Sequence, residues 1–159
     1  MSNKKKKSLD GPFVTQAIFC EKILHEKDGV LTPVRIIDTL TARLIPLSGE
    51  GVEQVKHVEK VQRKIASLIT VKSGDLVGKR TIRVVCKSLS VDLAFPVVFE
   101  GGHRGVNLML DLGLELPEGV HWFSVLISGK LMTKFPLRAV IQLGQAETTS
   151  AESQTTAQG

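Results

Sequence analysis

The sequence predicts an all-β fold, an antiparallel β-sandwich of about seven to nine strands. Between residues 13 and 143, apolar side chains mostly alternate with polar ones. This period of two is typical of strands that place one face on a core and the other towards water. Turn signals recur about every 10–15 residues, with few helix signals between them. That spacing favours a sandwich or barrel.

The alternation is clearest in three segments. Residues 82–87 place Ile82, Val84 and Cys86 on one face, and residues 106–112 place Val106, Leu108, Leu110 and Leu112 on one face. Residues 131–143 do the same with a longer set: Leu131, Thr133, Phe135, Leu137, Ala139, Ile141 and Leu143. We expect these faces to form the core.

Glycine-containing turns are predicted to separate the strands. Lys27-Asp28-Gly29 predicts a hairpin, and Ser128-Gly129 predicts a tighter one. Strand ends are also predicted at Ser73-Gly74-Asp75, Glu100-Gly101-Gly102 and Pro117-Glu118-Gly119. Pro96 and Pro136 lie in apolar runs and lack a backbone N–H, so each should mark an edge, a bulge or a break.

Residues 50–65 depart from the strand pattern. Val52, Val55 and Val58 are three residues apart, which is a helix-like spacing. Valine is a mediocre helix former, and the preceding residues 48–51 have loop composition. We therefore expect a long connection here, with a short helix, and a strand from Ile65 to Val71.

Composition predicts one domain with polar ends. The chain has 159 residues, of which 42% are hydrophobic, as in a globular protein. Residues 13–143 are expected to form the β-sandwich domain, between a disordered basic arm, 1–12, and a disordered polar tail, 144–159. The sequence has no apolar run long enough for a bilayer or a signal peptide, so a cytoplasmic protein without a membrane partner is expected.

Catalytic and cofactor motifs are not found. Cys20 and Cys86 lie in apolar runs and are expected to be buried, free thiols. The four histidines lack metal-type spacing, and the sequence contains neither a G-x-S-x-G nor a phosphate-binding loop motif. We therefore predict no catalytic, cofactor-binding or metal residues, and the question of an enzyme is left open with the balance against it.

Three features are candidates for an interaction surface. Trp122 lies in a strand that is apolar on both faces, so either both faces are buried, which we favour, or one meets a partner. His103 and Arg104 lie in EGGHRG, which could hold an anion in a backbone nest but is more simply a flexible link. Lys4, Lys5, Lys6 and Lys7 could contact nucleic acid, although solvated surface is the simpler interpretation.

Two segments resemble an uncharacterised bacterial family of small β-sandwich proteins, a domain of unknown function. Residues 17–41 contain Cys20-Glu21-Lys22, then Asp28-Gly29, then Arg35-Ile36-Ile37-Asp38. Residues 116–141 are similar to the family's close, with a Pro-x-Gly turn, an aromatic-centred strand and a final Pro-Leu-Arg strand. The resemblance implies a β-sandwich and a bacterial origin, and it implies no activity.

Three hypotheses of function follow. The favoured one is a non-catalytic protein-interaction or structural module that binds an unknown protein partner or its own copies. The second is a nucleic-acid-associated protein that uses the basic arm. The third is a small-ligand binder or enzyme whose site residues meet only in the fold, for example His25, His103 or Asp111.

Overall fold

The all-β prediction is confirmed by the computed structural model, which describes residues 10–44 and 60–143. The lysine arm at residues 4–7, the tail from residue 144 and residues 45–59 lie outside the described residues. The strands are β1 (Phe13–His25), β2 (Leu31–Ile37), β3 (Thr39–Leu44), β4 (Lys60–Cys86), β5 (Val91–Pro117), β6 (Gly119–Ile127) and β7 (Lys130–Leu143). A short 3-10 helix, Lys87–Leu89, joins β4 to β5.

The finer prediction, an antiparallel sandwich, is not confirmed. The strands form one curled sheet in the order β2-β1-β4-β6-β7-β3, with β5 paired to β4. The sheet is mixed because β3 runs parallel to β7, with Thr39 opposite Arg138. A parallel pair needs a crossover between distant strands, and no local signal in the sequence identifies such a partner.

The length of β4 explains the curl. β5 pairs with it from Lys60 to Cys86 along one edge. Two other strands share its opposite edge, β1 between Ala66 and Lys72 and β6 between Ile82 and Val85. Rings on these two strands, Phe19 of β1 and Phe123 of β6, nevertheless come into contact. The two ends of β4 must therefore bend towards each other and enclose the core between them.

The core contains the predicted faces. Ile82, Val84 and Cys86 are fully buried, and the inward side of β5 from Leu108 to Leu116 is buried as well. Phe135, Leu137 and Ala139 of β7 are also buried, but Leu131 is 48% exposed. The reason is a register shift between Val125 and Leu126, which places Leu131 opposite Leu126 and outside the core.

Three predicted turns are confirmed. The chain reverses at Asp28-Gly29, where the Gly29 N–H donates to the Glu26 carbonyl and the Val30 N–H donates to the Asp28 carboxylate. Ser128 and Gly129 both have positive φ, 49° and 83°, as a two-residue hairpin loop of type I′ requires. Pro117-Glu118-Gly119 separates β5 from β6.

Two other predicted strand ends are wrong. Ser73-Gly74-Asp75 lies inside β4, and Glu100-Gly101-Gly102 lies inside β5. Gly74 pairs with Gly102, so the two glycine-rich segments meet across the hairpin. The pairing register shifts on both sides of Gly74, and Gly74, Gly101 and Gly102 have positive φ. The glycines therefore form bulges that bend both strands instead of ending them.

The prolines lie on free stretches of strand edge, one of the predicted placements. Thr81 of β4 lies opposite Pro96 of β5, and the Thr81 carbonyl accepts a hydrogen bond from the Ser128 N–H on the side of β4 away from β5. Thr81 and Pro96 are therefore a pair that does not exchange hydrogen bonds, and the Pro96 nitrogen points to the outer edge of β5. The Arg138 N–H donates to the Asp38 carbonyl, on the side of β7 where β3 lies. The nitrogen of Pro136, two residues earlier in β7, points to the same side, but the pairing with β3 begins only at Arg138. Neither proline costs a ladder hydrogen bond.

The predicted connection across 50–65 is wrong for residues 60–65, the part of it that lies within the described residues. Residues 60–64 already belong to β4, and Val61 and Ile65 are buried in the core. Their spacing of four fits a strand as well as a helix, because both fall on one face at a period of two. Among the described residues, no helix has the length and apolar character that a bilayer crossing requires.

Candidate functional site

The outward face of β6 carries an exposed apolar surface. His121, Phe123, Val125 and Ile127 point into the core, so the alternating residues point outwards. Trp122 is 54% exposed and Val120 is 50% exposed. The expectation that both faces of this strand are buried is wrong, because no described strand covers its outward side. Trp122 therefore belongs to the surface, as the alternative interpretation required.

Neighbouring strands extend this surface. Trp122 lies opposite Pro136 of β7, and Leu126 lies beside Leu131. On the other side, Leu126 pairs with Arg83 of β4. Arg83, Trp122, Leu126 and Leu131 line an open groove of 810 Å³. We call it the Trp122 face, and define it by its apolar residues: Val85, Val120, Trp122, Leu126 and Leu131.

Cations dominate the rim of the Trp122 face. Lys87 and Lys134 line the groove, and Arg138 lies opposite Val120 on the same side of the sheet. Arg83 also lines it, but its guanidinium is hydrogen-bonded to the carboxylate of Asp92, which raises the pKa of Arg83. Since Arg83 and Asp92 neutralise each other, Lys87, Lys134 and Arg138 leave the rim positive.

A polar chain of side chains adjoins the groove. His121 is 4% exposed, and its Nε2 lies 2.8 Å from the Pro117 carbonyl oxygen. Its Nδ1 lies 2.9 Å from the hydroxyl of Ser88, which lines the groove and is exposed. The buried thiol of Cys86 lies 3.3 Å from the same hydroxyl. A carbonyl can only accept, so Nε2 carries a proton, and in the neutral imidazole Nδ1 accepts from Ser88.

The other candidate residues lie elsewhere. Arg104 forms an ion pair with Glu100, so its charge is already neutralised beside the two glycines. His103 is exposed and lies eleven residues further along β5 than Asp92. Neither His103 nor Arg104 is among the residues that line the Trp122 face. Lys4–Lys7 lie outside the described residues.

The dispersed site suggested by the sequence would need His25, His103 and Asp111 to converge. All three are exposed, and the last two are eight residues apart along β5. Within residues 10–44 and 60–143, no three His, Cys, Asp or Glu side chains are close enough to hold a metal ion. The prediction of buried, free thiols at Cys20 and Cys86 is confirmed.

Sequence reasoning missed the pairing of Ser88 with His121. The two residues are 33 positions apart, and neither lies in a known nucleophile motif. They meet because β4 ends at Cys86 next to β6, whose pairing with β4 begins at Ser124. The available signal was weak: a histidine on the core-facing side of a strand needs polar partners for both ring nitrogens.

A comparison with models of known protein families finds none that matches this chain, and a comparison with curated proteins finds no relative.

Proposed function

We propose that the protein is an interaction module whose Trp122 face binds an acidic protein segment that also carries apolar side chains. One observation carries the proposal: a tryptophan and a valine, each about half exposed, line a groove with a cationic rim. Tryptophan is among the residues that contribute most to binding energy in protein interfaces. Such residues are seldom left exposed in a contiguous patch without a partner.

The apolar centre would supply most of the affinity. Burying the exposed part of a tryptophan removes on the order of 100 Å² from water, which stabilises a complex by roughly 2–3 kcal/mol. Leu131, which is 48% exposed, would add to this on the same side of the groove. An apolar surface alone does not choose between partners, so specificity must come from the rim.

The rim favours an acidic partner over a second copy of this chain. In a symmetric dimer the same surface meets itself, so Lys87 and Lys134 of one subunit would approach the same lysines of the other. Like charges brought together at an interface are unfavourable. An acidic segment would instead place carboxylates near Lys87, Lys134 and Arg138 while its apolar residues contact Trp122.

Direct titration with peptides tests the proposal. Trp122 is the protein's sole tryptophan, so its fluorescence reports on this surface alone. We expect a peptide of alternating Glu and Leu to shift the emission to shorter wavelength, and a peptide of alternating Lys and Leu to have no effect. K87E combined with K134E should reverse this preference. Equal responses to both peptides, or no response to either, would overturn the proposal.

A second titration checks that the site is the groove. The labelled Glu-Leu peptide, followed by anisotropy, should lose at least tenfold in affinity with W122S. V98S is the matched control, since Val98 is 58% exposed but lies on β5, away from the groove. Equal losses in the two variants would contradict binding at the Trp122 face. Binding of single-stranded nucleic acid by the wild type in place of the peptide would favour the nucleic-acid hypothesis instead.

The same proposal includes the setting of the protein. We propose that it acts in the cytoplasm and belongs to the uncharacterised bacterial β-sandwich family that residues 17–41 and 116–141 resemble. The two structural features that support the family assignment are the hairpin at Asp28-Gly29 and the hairpin at Ser128-Gly129, which both fall within the resembling segments.

A further inference from the structure

We propose that Ser88 is a nucleophilic serine, activated by His121, that accepts the acyl group of a small carboxylic ester. This goes beyond the binding function, because it assigns a chemical reaction to one side of the Trp122 face. It does not require the acidic partner, so either proposal can fail without the other. Three observations support it: the contact between an exposed serine and a buried histidine, the tautomer of the imidazole and the groove beside them.

The first observation is the arrangement of nucleophile and base. Ser88 is an exposed residue that lines the groove, whereas His121, which its hydroxyl contacts, is 4% exposed. Their distance of 2.9 Å is within the range for proton transfer from a hydroxyl to a base. A base within hydrogen-bond reach of a serine hydroxyl is the pairing that nucleophilic catalysis by serine requires.

The second observation is that the tautomer of His121 is held by the fold. Its Nε2–H donates to the Pro117 carbonyl at 2.8 Å, so the lone pair of Nδ1 is directed at Ser88. In hydrolases with a serine, a histidine and a carboxylate, the third group holds the imidazole in this way. A carbonyl orients the ring but stabilises an imidazolium less than a carboxylate would, so we expect a slow reaction.

The third observation is the position of Ser88 between two open grooves. One is the Trp122 face, and the other, of 470 Å³, is lined by Lys60, Val91 and Pro117. An apolar acyl group can lie against Trp122 and Val120 while its carbonyl carbon approaches Ser88. The Cys86 thiol is fully buried and can donate to the Ser88 oxygen, which leaves the Ser88 proton for His121.

The reaction balances with water as the second reactant. The Ser88 oxygen forms a bond to the ester's carbonyl carbon as its proton passes to His121 Nδ1. The bond from that carbon to the alcohol oxygen then breaks, and the proton on His121 goes to the leaving alcohol. Water next attacks the acyl-serine, with His121 as the base, which releases the carboxylic acid and restores the Ser88 hydroxyl. No metal or redox partner enters these steps.

Labelling with a fluorophosphonate probe tests the nucleophile. The probe's phosphorus bonds to an activated serine oxygen as fluoride leaves, and mass spectrometry of the digested protein identifies the residue. We expect the label on Ser88, its complete loss in S88A and its retention in S90A, which changes the exposed serine two residues away. A folded wild-type protein without label on Ser88, or equal labelling of Ser90, would overturn the proposal.

A second measurement separates the base from a structural role. H121Q retains a side chain that can hydrogen-bond to both neighbours but cannot accept the proton, so labelling should slow about 100-fold or more while the circular dichroism spectrum is unchanged. In H121A, added imidazole should restore part of the labelling. Equal labelling rates in H121Q and the wild type would show that His121 only fills the core. Hydrolysis of p-nitrophenyl acetate should follow the same order across these variants.

Discussion

Phe19 and Phe123 meet edge to face, with ring centroids 4.8 Å apart and planes at 69°. Phe135 lies 4.8 Å from Phe19 and completes the group. The three rings come from β1, on one side of β4 in the sheet order, and from β6 and β7, on the other side. They therefore provide a direct side-chain contact, within the core, between strands that pair with different ends of β4.

Alanine substitutions in this aromatic cluster should lower the free energy of unfolding more than substitutions in the Trp122 face. F19A and F123A are each expected to lower the free energy of unfolding by about 3–5 kcal/mol, since both rings are fully buried. The double variant should lose less than the sum by roughly 0.5–1.5 kcal/mol, which is the coupling of an aromatic pair. Urea denaturation followed by far-ultraviolet circular dichroism measures these differences. Strict additivity would contradict the contact.

The Trp122 face should contribute little to folding. W122S is expected to change the free energy of unfolding by no more than about 0.5–1 kcal/mol, because half of the side chain is already in water. Its neighbour in the sequence, Phe123, serves as the matched comparison in the same denaturation experiment. A loss in W122S as large as that in F123A would mean that Trp122 is part of the core and is not held at the surface for a partner.

Two glycines of β5 should respond in opposite ways to alanine. A Cβ on Gly105 would lie 2.2 Å from the Val71 carbonyl oxygen, so the two strands would have to separate. G105A should therefore lower the free energy of unfolding by about 1–3 kcal/mol. A Cβ on Gly113 meets no atom within 4 Å, so G113A should be neutral or stabilise the fold by up to about 1 kcal/mol. Thermal melts of both variants check the sign.

Removing the proline from the edge of β5 should promote association. P96T adds a backbone N–H that points outwards, which extends the row of donors and acceptors open to another strand. We expect a higher weight-average mass by light scattering than for the wild type at the same concentration. A94T is the control, because it adds the same side chain two residues away on the same edge without adding a donor. Equal masses for P96T and A94T would contradict this role of Pro96.

Stability should decline at alkaline pH through Cys20. Burial raises the pKa of this thiol above its ordinary value of 9.0. The unfolded chain then releases the thiol proton at a lower pH than the folded chain, so the stability is complete below pH 9.0 and is lost as the pH rises through the folded pKa. Between pH 8 and 10.5, the wild type should lose more free energy of unfolding than C20A. Parallel pH profiles would contradict this assignment.

Local patterns predict the strands well and the Trp122 face poorly. Alternation identifies Ile82, Val84 and Cys86 as one face and Val120 and Trp122 as another, because side chains in a strand alternate by geometry alone. Alternation does not say whether a second layer covers a given face. β6 is apolar on both sides, and only the position of the other strands leaves Trp122 in water. The sequence therefore identified Trp122 as a candidate residue, but it did not predict that Trp122 and its neighbours form an exposed surface.

The sequence by itself determined the strand character of the described residues, the core faces of 82–87, 106–112 and most of 131–143, and the hairpins at Asp28-Gly29 and Ser128-Gly129. These features depend on backbone geometry within a few residues. Only the tertiary structure decided that β3 runs parallel to β7, that Gly74 and Gly102 form facing bulges, and that Ser88 meets His121. Each of these depends on which distant segments become neighbours, and that choice is made by packing the whole sheet around one core.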